Sequence, residues 1–114
     1  MMQSVRIATA LGSCLLSCVA LAATTDNPVG LVTGVYTYTD YGTGDVVVTV
    51  QNPPSACQHG YWIRMTDAGA KTTYAQILAA YYAKTPLRIG GYDDQMWPGS
   101  TGKYCRLYFA GAIY

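Results

Sequence analysis

The pattern of apolar and polar positions divides the chain into a leader, five strands and one helix. Ile7 to Ala20 is an almost unbroken run of apolar or small residues, and Arg6 is the only charge before Asp26. Thr24–Pro28 is polar and reads as a flexible start. From Val29 to Thr39 the pattern alternates. Val29, Leu31, Thr33, Val35, Thr37 and Thr39 share one face of a strand, and Gly30, Val32, Gly34, Tyr36 and Tyr38 share the other. β-Branched and aromatic residues dominate, which suits a pleated surface. Asp40–Asp45 contains Gly42 and Gly44 and reads as a turn. Asp45–Gln51, built on the run Val46–Val50, is the return strand of an antiparallel hairpin.

Asn52-Pro53-Pro54-Ser55 interrupts the sheet, because proline cannot donate to a ladder. Gln58–Met65 is a third strand. At Ala70 the period changes: Tyr74, Ile77, Leu78 and Tyr81 recur at helical spacing, and Ala75, Ala79, Ala80 and Ala83 raise the propensity. The spacing predicts a helix over Lys71–Lys84, with Thr66 or Asp67 as N-cap, Lys84 in the last turn and Pro86 as the stop. Leu87–Ile89 begins a fourth strand that ends at Gly90-Gly91. Tyr92–Gly102 reads as an irregular loop. Lys103–Tyr114 is the last strand, with Tyr104, Arg106, Tyr108 and Ala110 on one face and Cys105, Leu107 and Phe109 on the other. The order is β-β-β-α-β-β, a β-rich α+β fold.

The leader sets the compartment. A basic residue, an apolar run and the small-x-small triplet Ala20-Leu21-Ala22 make residues 1–23 a secretory signal peptide, cleaved after Ala22 or Ala23. Residues 24–114 then form one domain, with no transmembrane span in the mature chain. The expected location is secreted or periplasmic, of Gram-negative type. Leu15-Leu16-Ser17-Cys18 loosely resembles a lipoprotein box, so lipid anchoring at Cys18 is the alternative. Cys14 and Cys18 lie in the leader. Cys57 and Cys105 are the pair left in the mature chain, and an oxidising compartment is expected to join them. A domain of this size needs such a staple.

Charge removes one class of function. Seven basic residues oppose six acidic ones, and Arg6 leaves with the leader, so the mature chain is neutral. A nucleic-acid binder would carry a basic excess, so that partner is excluded. Catalytic constellations are also missing. His59, the one histidine, follows Cys57 by two residues, but a structural metal site needs four N or S ligands. Ser55 and Ser100 lie in no Gly-x-Ser-x-Gly elbow. Asp93 and Asp94 are adjacent and would point opposite ways in an extended segment, unlike a glycosidase pair. The expectation is a non-enzymatic protein with no metal and no cofactor.

The aromatic residues are the feature most open to function. There are eleven tyrosines against one phenylalanine. Tyrosine joins an apolar ring to a hydroxyl, which suits half-exposed recognition surfaces, sugar-binding ones among them. Tyr92, Asp93, Asp94, Gln95 and Trp97 form the first candidate ligand-binding patch. Tyr36, Tyr38 and Tyr41 on the hairpin form the second.

Two resemblances add to this reading. Cys57, Gly60-Tyr61-Trp62, Tyr74–Tyr81, Leu87–Ile89, Asp94–Trp97 and Gly102–Tyr108 together resemble a group of small secreted bacterial proteins of unknown function. More distantly, Ala75–Ile89 with Trp97 beyond it resembles the B subunits of pentameric toxins of the subtilase-cytotoxin type. That second resemblance implies a small five-stranded oligonucleotide/oligosaccharide-binding-like barrel, with the helix between strands three and four, and a homo-oligomer. The sialic-acid site of that family uses a serine near the first strands; here Thr39 and Asp40 occupy the comparable region and match no motif. The function expected is a secreted binding module that recognises a glycan or a protein and self-associates through exposed strand edges. The alternative is a structural protein of the cell envelope or periplasm with no soluble ligand.

Overall fold

The computed structural model describes residues 23–112. Residues 1–22 of the expected leader, Cys18 among them, and the last two residues of the predicted final strand lie outside them. Six strands and one helix follow in order: β1 (Thr24–Gly30), β2 (Val32–Thr37), β3 (Val46–Val50), β4 (Gly60–Ile63), α1 (Ala70–Ala83), β5 (Leu87–Met96) and β6 (Tyr104–Ala112). A short 3-10 turn, Ser55–Cys57, precedes β4. The strands form one mixed sheet in the order β1-β5-β6-β4-β3-β2. All neighbours are antiparallel except β4 and β6, which are parallel. Among the described residues no helix is long and apolar enough to cross a membrane.

The sheet has six strands rather than five and is not closed into a barrel: β1 and β2 are its edges. The extra strand comes from Thr24–Pro28. Read alone this polar stretch has no strand signal, yet its backbone pairs with β5, from Thr24 opposite Tyr92 to Asn27 opposite Ile89. Pro28 is tolerated because the register breaks between Asn27 and Gly30. Leu31 separates β1 from β2, and the chain turns there from one edge of the sheet to the other. Leu31 itself is held at both backbone groups, donating to the Gln51 side chain at 2.9 Å and accepting from Gln51 N at 3.0 Å.

The predicted hairpin forms, with Val32–Thr37 antiparallel to Val46–Val50. Its register shifts between Val32 and Gly34, so strict alternation fails. Val32 is in the core and Val35, three residues on, packs against it. The main core gathers Val46, Val48, Val50, Tyr61, Ile63, Ile77, Leu87, Ile89 and Leu107 around the Cys57–Cys105 disulfide. Of the predicted apolar helix face, Ile77 is fully buried, and Tyr74 and Tyr81 pack against the core. The small residues Ala70 and Ala80 fill the rest of the contact.

Two helix ends differ from expectation. Gly69, which has no side chain to cap with, is the N-cap in place of Thr66 or Asp67, and the Asp67 carboxylate faces Arg64 and Arg106. At the other end Lys84 is not in the last turn but beyond it, in the left-handed region at φ 55°, and Thr85 N reaches back to Ala80 O at 2.9 Å.

Gly90-Gly91 does not end the fourth strand, which runs on to Met96 and takes in half of the predicted loop. The glycines make room instead. A Cβ on Gly91 would lie 2.8 Å from the Tyr61 ring inside the sheet, and one on Gly90 would lie 2.9 Å from the Phe109 ring.

Tyr61, fully buried on β4, carries a pH dependence. Burial, and after it the negative charge of Asp26, pushes its phenol from 10.0 up to about 12. The folded state therefore holds this proton where the unfolded chain has released it. The contribution to stability is complete below pH 10 and is lost as pH rises through about 12. Urea midpoints are expected to fall across that window, and Tyr61→Phe to remove part of the fall. An identical decline in the variant would place its origin elsewhere.

Candidate functional site

The loop between β2 and β3 is folded around one buried carboxylate. Asp45 is 2 % exposed. Its Oδ1 accepts from Thr43 N at 3.1 Å and Thr43 Oγ1 at 2.8 Å, and its Oδ2 accepts from Trp97 Nε1 at 2.9 Å. Thr43 Oγ1 in turn accepts from Met65 N at 2.8 Å. Gly42, at φ 61°, lies so close that a Cβ there would sit 2.3 Å from Asp45 Oδ2. Turn chemistry written within six residues thus builds a socket for an indole that arrives from more than fifty residues away.

Trp97 is 6 % exposed and stands at the centre of a second cluster with Val47 and Trp62, which Tyr104 packs against. This cluster lies on the face of the sheet opposite the main core, since Val46, Val48, Tyr61 and Ile63 point the other way. Trp62 Nε1 donates to Gln95 O at 3.0 Å and Trp97 N donates to Tyr104 O at 3.0 Å. Three tyrosine rings surround the Trp97 indole. Tyr38 is tilted against it at 5.1 Å, and Tyr41 and Tyr104 meet it edge to face at 5.6 and 5.8 Å. Tyr38 and Tyr41 are each 39 % exposed. The result is a rigid aromatic array, two of whose rings reach solvent.

No protein-family model matches the chain. No curated protein and no solved structure matches it either.

The structure redistributes the residues singled out in the sequence. Trp97 leaves the first patch and joins Tyr38 and Tyr41 of the second. Tyr36 is exposed on edge strand β2, opposite Val47 of the Trp97 cluster. Tyr92 belongs to a different place, a cleft of about 230 Å³ between the start of α1 and the β5–β6 pair, lined among others by Asp67, Thr73, Tyr92, Arg106 and Tyr108. The Arg106 guanidinium lies 4.9 Å from the Tyr92 ring centroid and donates through Nη1 to Gln95 Oε1. Asp93 accepts the Thr25 hydroxyl at 2.6 Å and so serves the β1–β5 pairing rather than an ion pair with Arg88 or Lys103. Arg88 pairs instead with Asp26. Asp94 is exposed.

His59 is exposed, and its Nδ1 accepts from Lys103 N at 2.8 Å. Among the described residues no three or more His, Cys, Asp or Glu side chains gather as metal ligands would.

Sequence reasoning missed Asp45, Trp62, Tyr104, Arg106 and Tyr108 as site residues. Tyr104, Arg106 and Tyr108 alternate on one face of a single strand, which was a usable signal. For Asp45 the signal was only that of a turn, since Thr43 is its local partner and Trp97 is distant in the chain.

Proposed function

We propose that this protein is a secreted, non-enzymatic glycan-binding module, and that the Trp97 array is its recognition surface. The observation that carries the reading is the fixed indole with Tyr38, Tyr41 and Tyr104 around it. Aromatic faces stack on the apolar faces of sugar rings, while the tyrosine hydroxyls can donate and accept at sugar hydroxyls. Rings already held by Asp45 and by one another lose little freedom on binding.

The strand order supports the reading. Taken as one strand bent at Leu31, β1 and β2 would make the sheet a five-stranded, partly open oligonucleotide/oligosaccharide-binding arrangement, with α1 between its third and fourth strands. Ligands of such folds bind on strands two and three and on the loops after strands one and four. In this chain those are β3, β4, the Tyr38–Asp45 loop and the Trp97–Lys103 loop, which between them hold Tyr38, Tyr41, Trp62 and Trp97. The neutral charge argues for sugars over nucleic acid. Exposed Val29 and Tyr36 on the edge strands support self-association by edge pairing, and the disulfide supports an extracellular or periplasmic location.

The test is a glycan array followed by titration of the best hit. Tyr41→Ala is expected to weaken that hit about tenfold while leaving the fold intact, because the ring is partly exposed. Absence of any hit above background would leave the structural cell-envelope reading ahead, which the burial of Trp97 favours.

A further inference from the structure

A second aromatic surface runs along the outer face of β5 and β6, and a bulge creates it. Gly90 pairs with Phe109 and Gly91 with Leu107, so Tyr108 is an extra residue in β6. Without it Tyr108 and Phe109 would point to opposite faces, as their adjacency predicts. With it Tyr108 and Phe109 stack, 5.7 Å apart and 18° from parallel. Ala110 turns inward and packs on the core. The predicted alternation of β6 is therefore corrected from Phe109 onward. Phe109 lies over Gly90, the one residue type that leaves space for it there.

The rings continue in both directions. Tyr92 lies 5.0 Å from Tyr108, with the Arg106 guanidinium beyond it, and the Arg88 guanidinium lies 5.6 Å from the Phe109 centroid. The order across the face is Arg106, Tyr92, Tyr108, Phe109, Arg88. The Arg106 end opens into the cleft at the start of α1. At that end two guanidinium groups meet one carboxylate, and Asp94 is exposed two residues beyond Tyr92. The carboxylate is that of Asp67, shared by Arg64, at 2.9 Å, and Arg106, at 3.3 Å. The first turn of α1 carries no acidic residue that would oppose the helix dipole. At the other end Arg88 is about half exposed and pairs with the equally exposed Asp26, an ion pair that a ligand can displace at small cost.

We propose that this strip binds an acidic oligosaccharide, its sugar rings on Tyr92, Tyr108 and Phe109 and its carboxylates at Arg106 and Arg88. Aromatic faces alone would suit a neutral sugar, and arginines alone any anion. Three rings bracketed by two arginines suit a chain that alternates ring faces with negative charge. The assignment does not depend on the Trp97 array, from which the strip differs in every residue.

Titration with an oligogalacturonate tests it, using the protein with its disulfide intact. The free acid is expected to bind, and the same oligomer with its carboxylates methyl-esterified to bind about tenfold more weakly. Tyr108→Ala and Arg88→Gln should each weaken the free acid several-fold. Both side chains are more than half exposed, so these variants keep the fold. Tyr82→Ala, which removes an exposed ring on α1 outside both aromatic surfaces, should leave the affinity unchanged. The proposal is overturned if the free acid does not bind, if the ester binds equally, or if neither strip variant weakens binding. Equal binding of an oligoglutamate of the same charge would also overturn it, by reducing the strip to a general anion attractor.

Discussion

Opening the Cys57–Cys105 bond is expected to cost about 4 kcal/mol of stability. The bridge closes a loop across a sequence separation of 48 residues, and the chain-entropy relation gives about that value for such a loop. Domains of this size hold roughly 5–15 kcal/mol in total, so the loss is a large share of the whole. Both cysteines are fully buried in the main core, and the bond ties the turn before β4 to β6, the parallel neighbour of β4. A parallel pair cannot be joined by a tight turn. These two strands are adjacent in the sheet but separated in the chain by α1 and β5, so the bond shortens the search for their pairing. Urea unfolding of a Cys57→Ala/Cys105→Ala double variant measures the effect. A loss under about 1 kcal/mol would show that the core alone holds the two strands together.

Gly60→Ala is expected to be about as damaging, at roughly 3 kcal/mol or more. Gly60 sits at φ 135°, outside the conformations that residues with a Cβ adopt readily. An added Cβ would also lie 2.3 Å from the Val48 carbonyl oxygen. That oxygen is backbone of β3, so no side-chain rotation relieves the clash. The turn leading into Gly60 cannot yield easily either, since His59 N donates to Lys103 O at 3.1 Å. Gly44 provides the comparison. It also has positive φ, at 83°, but a Cβ there meets nothing within 4 Å. Gly44→Ala should cost only the backbone strain, about 1 kcal/mol. Equal losses in the two variants would show that the Val48 contact is not the cause.

Local chemistry made part of this protein readable in advance. The Val46–Val50 strand, the helix with Ile77 on its buried face and Pro86 beyond its end, and the Cys57–Cys105 pair each rest on signals within a few residues or on cysteine arithmetic. The misread segments share one cause. Thr24–Pro28, Gly90-Gly91 and Tyr92–Met96 look like loop when taken alone. They become strand because a distant partner supplies their backbone hydrogen bonds and, at the two glycines, because Phe109 and Tyr61 need the space. Phe109 was assigned to the wrong face because one extra residue at Tyr108 reverses every position after it.

The candidate site divides in the same way. An excess of tyrosine over phenylalanine, the tyrosines in and beside the Asp40–Asp45 turn, an apolar run after Arg6 and a formal net charge of only +1 are properties of the sequence by itself. Which of these aromatic residues act together was decided only by the tertiary structure. Trp97 goes to Asp45, Tyr38 and Tyr41, while Tyr92 goes to Arg106 and Tyr108, although Tyr92 and Trp97 are five residues apart. The physical reason is that alternation and propensity are local. Strand register, the bulge in β6 and the bridging of the two sheet edges at Leu31 are set by contacts between segments far apart in the chain.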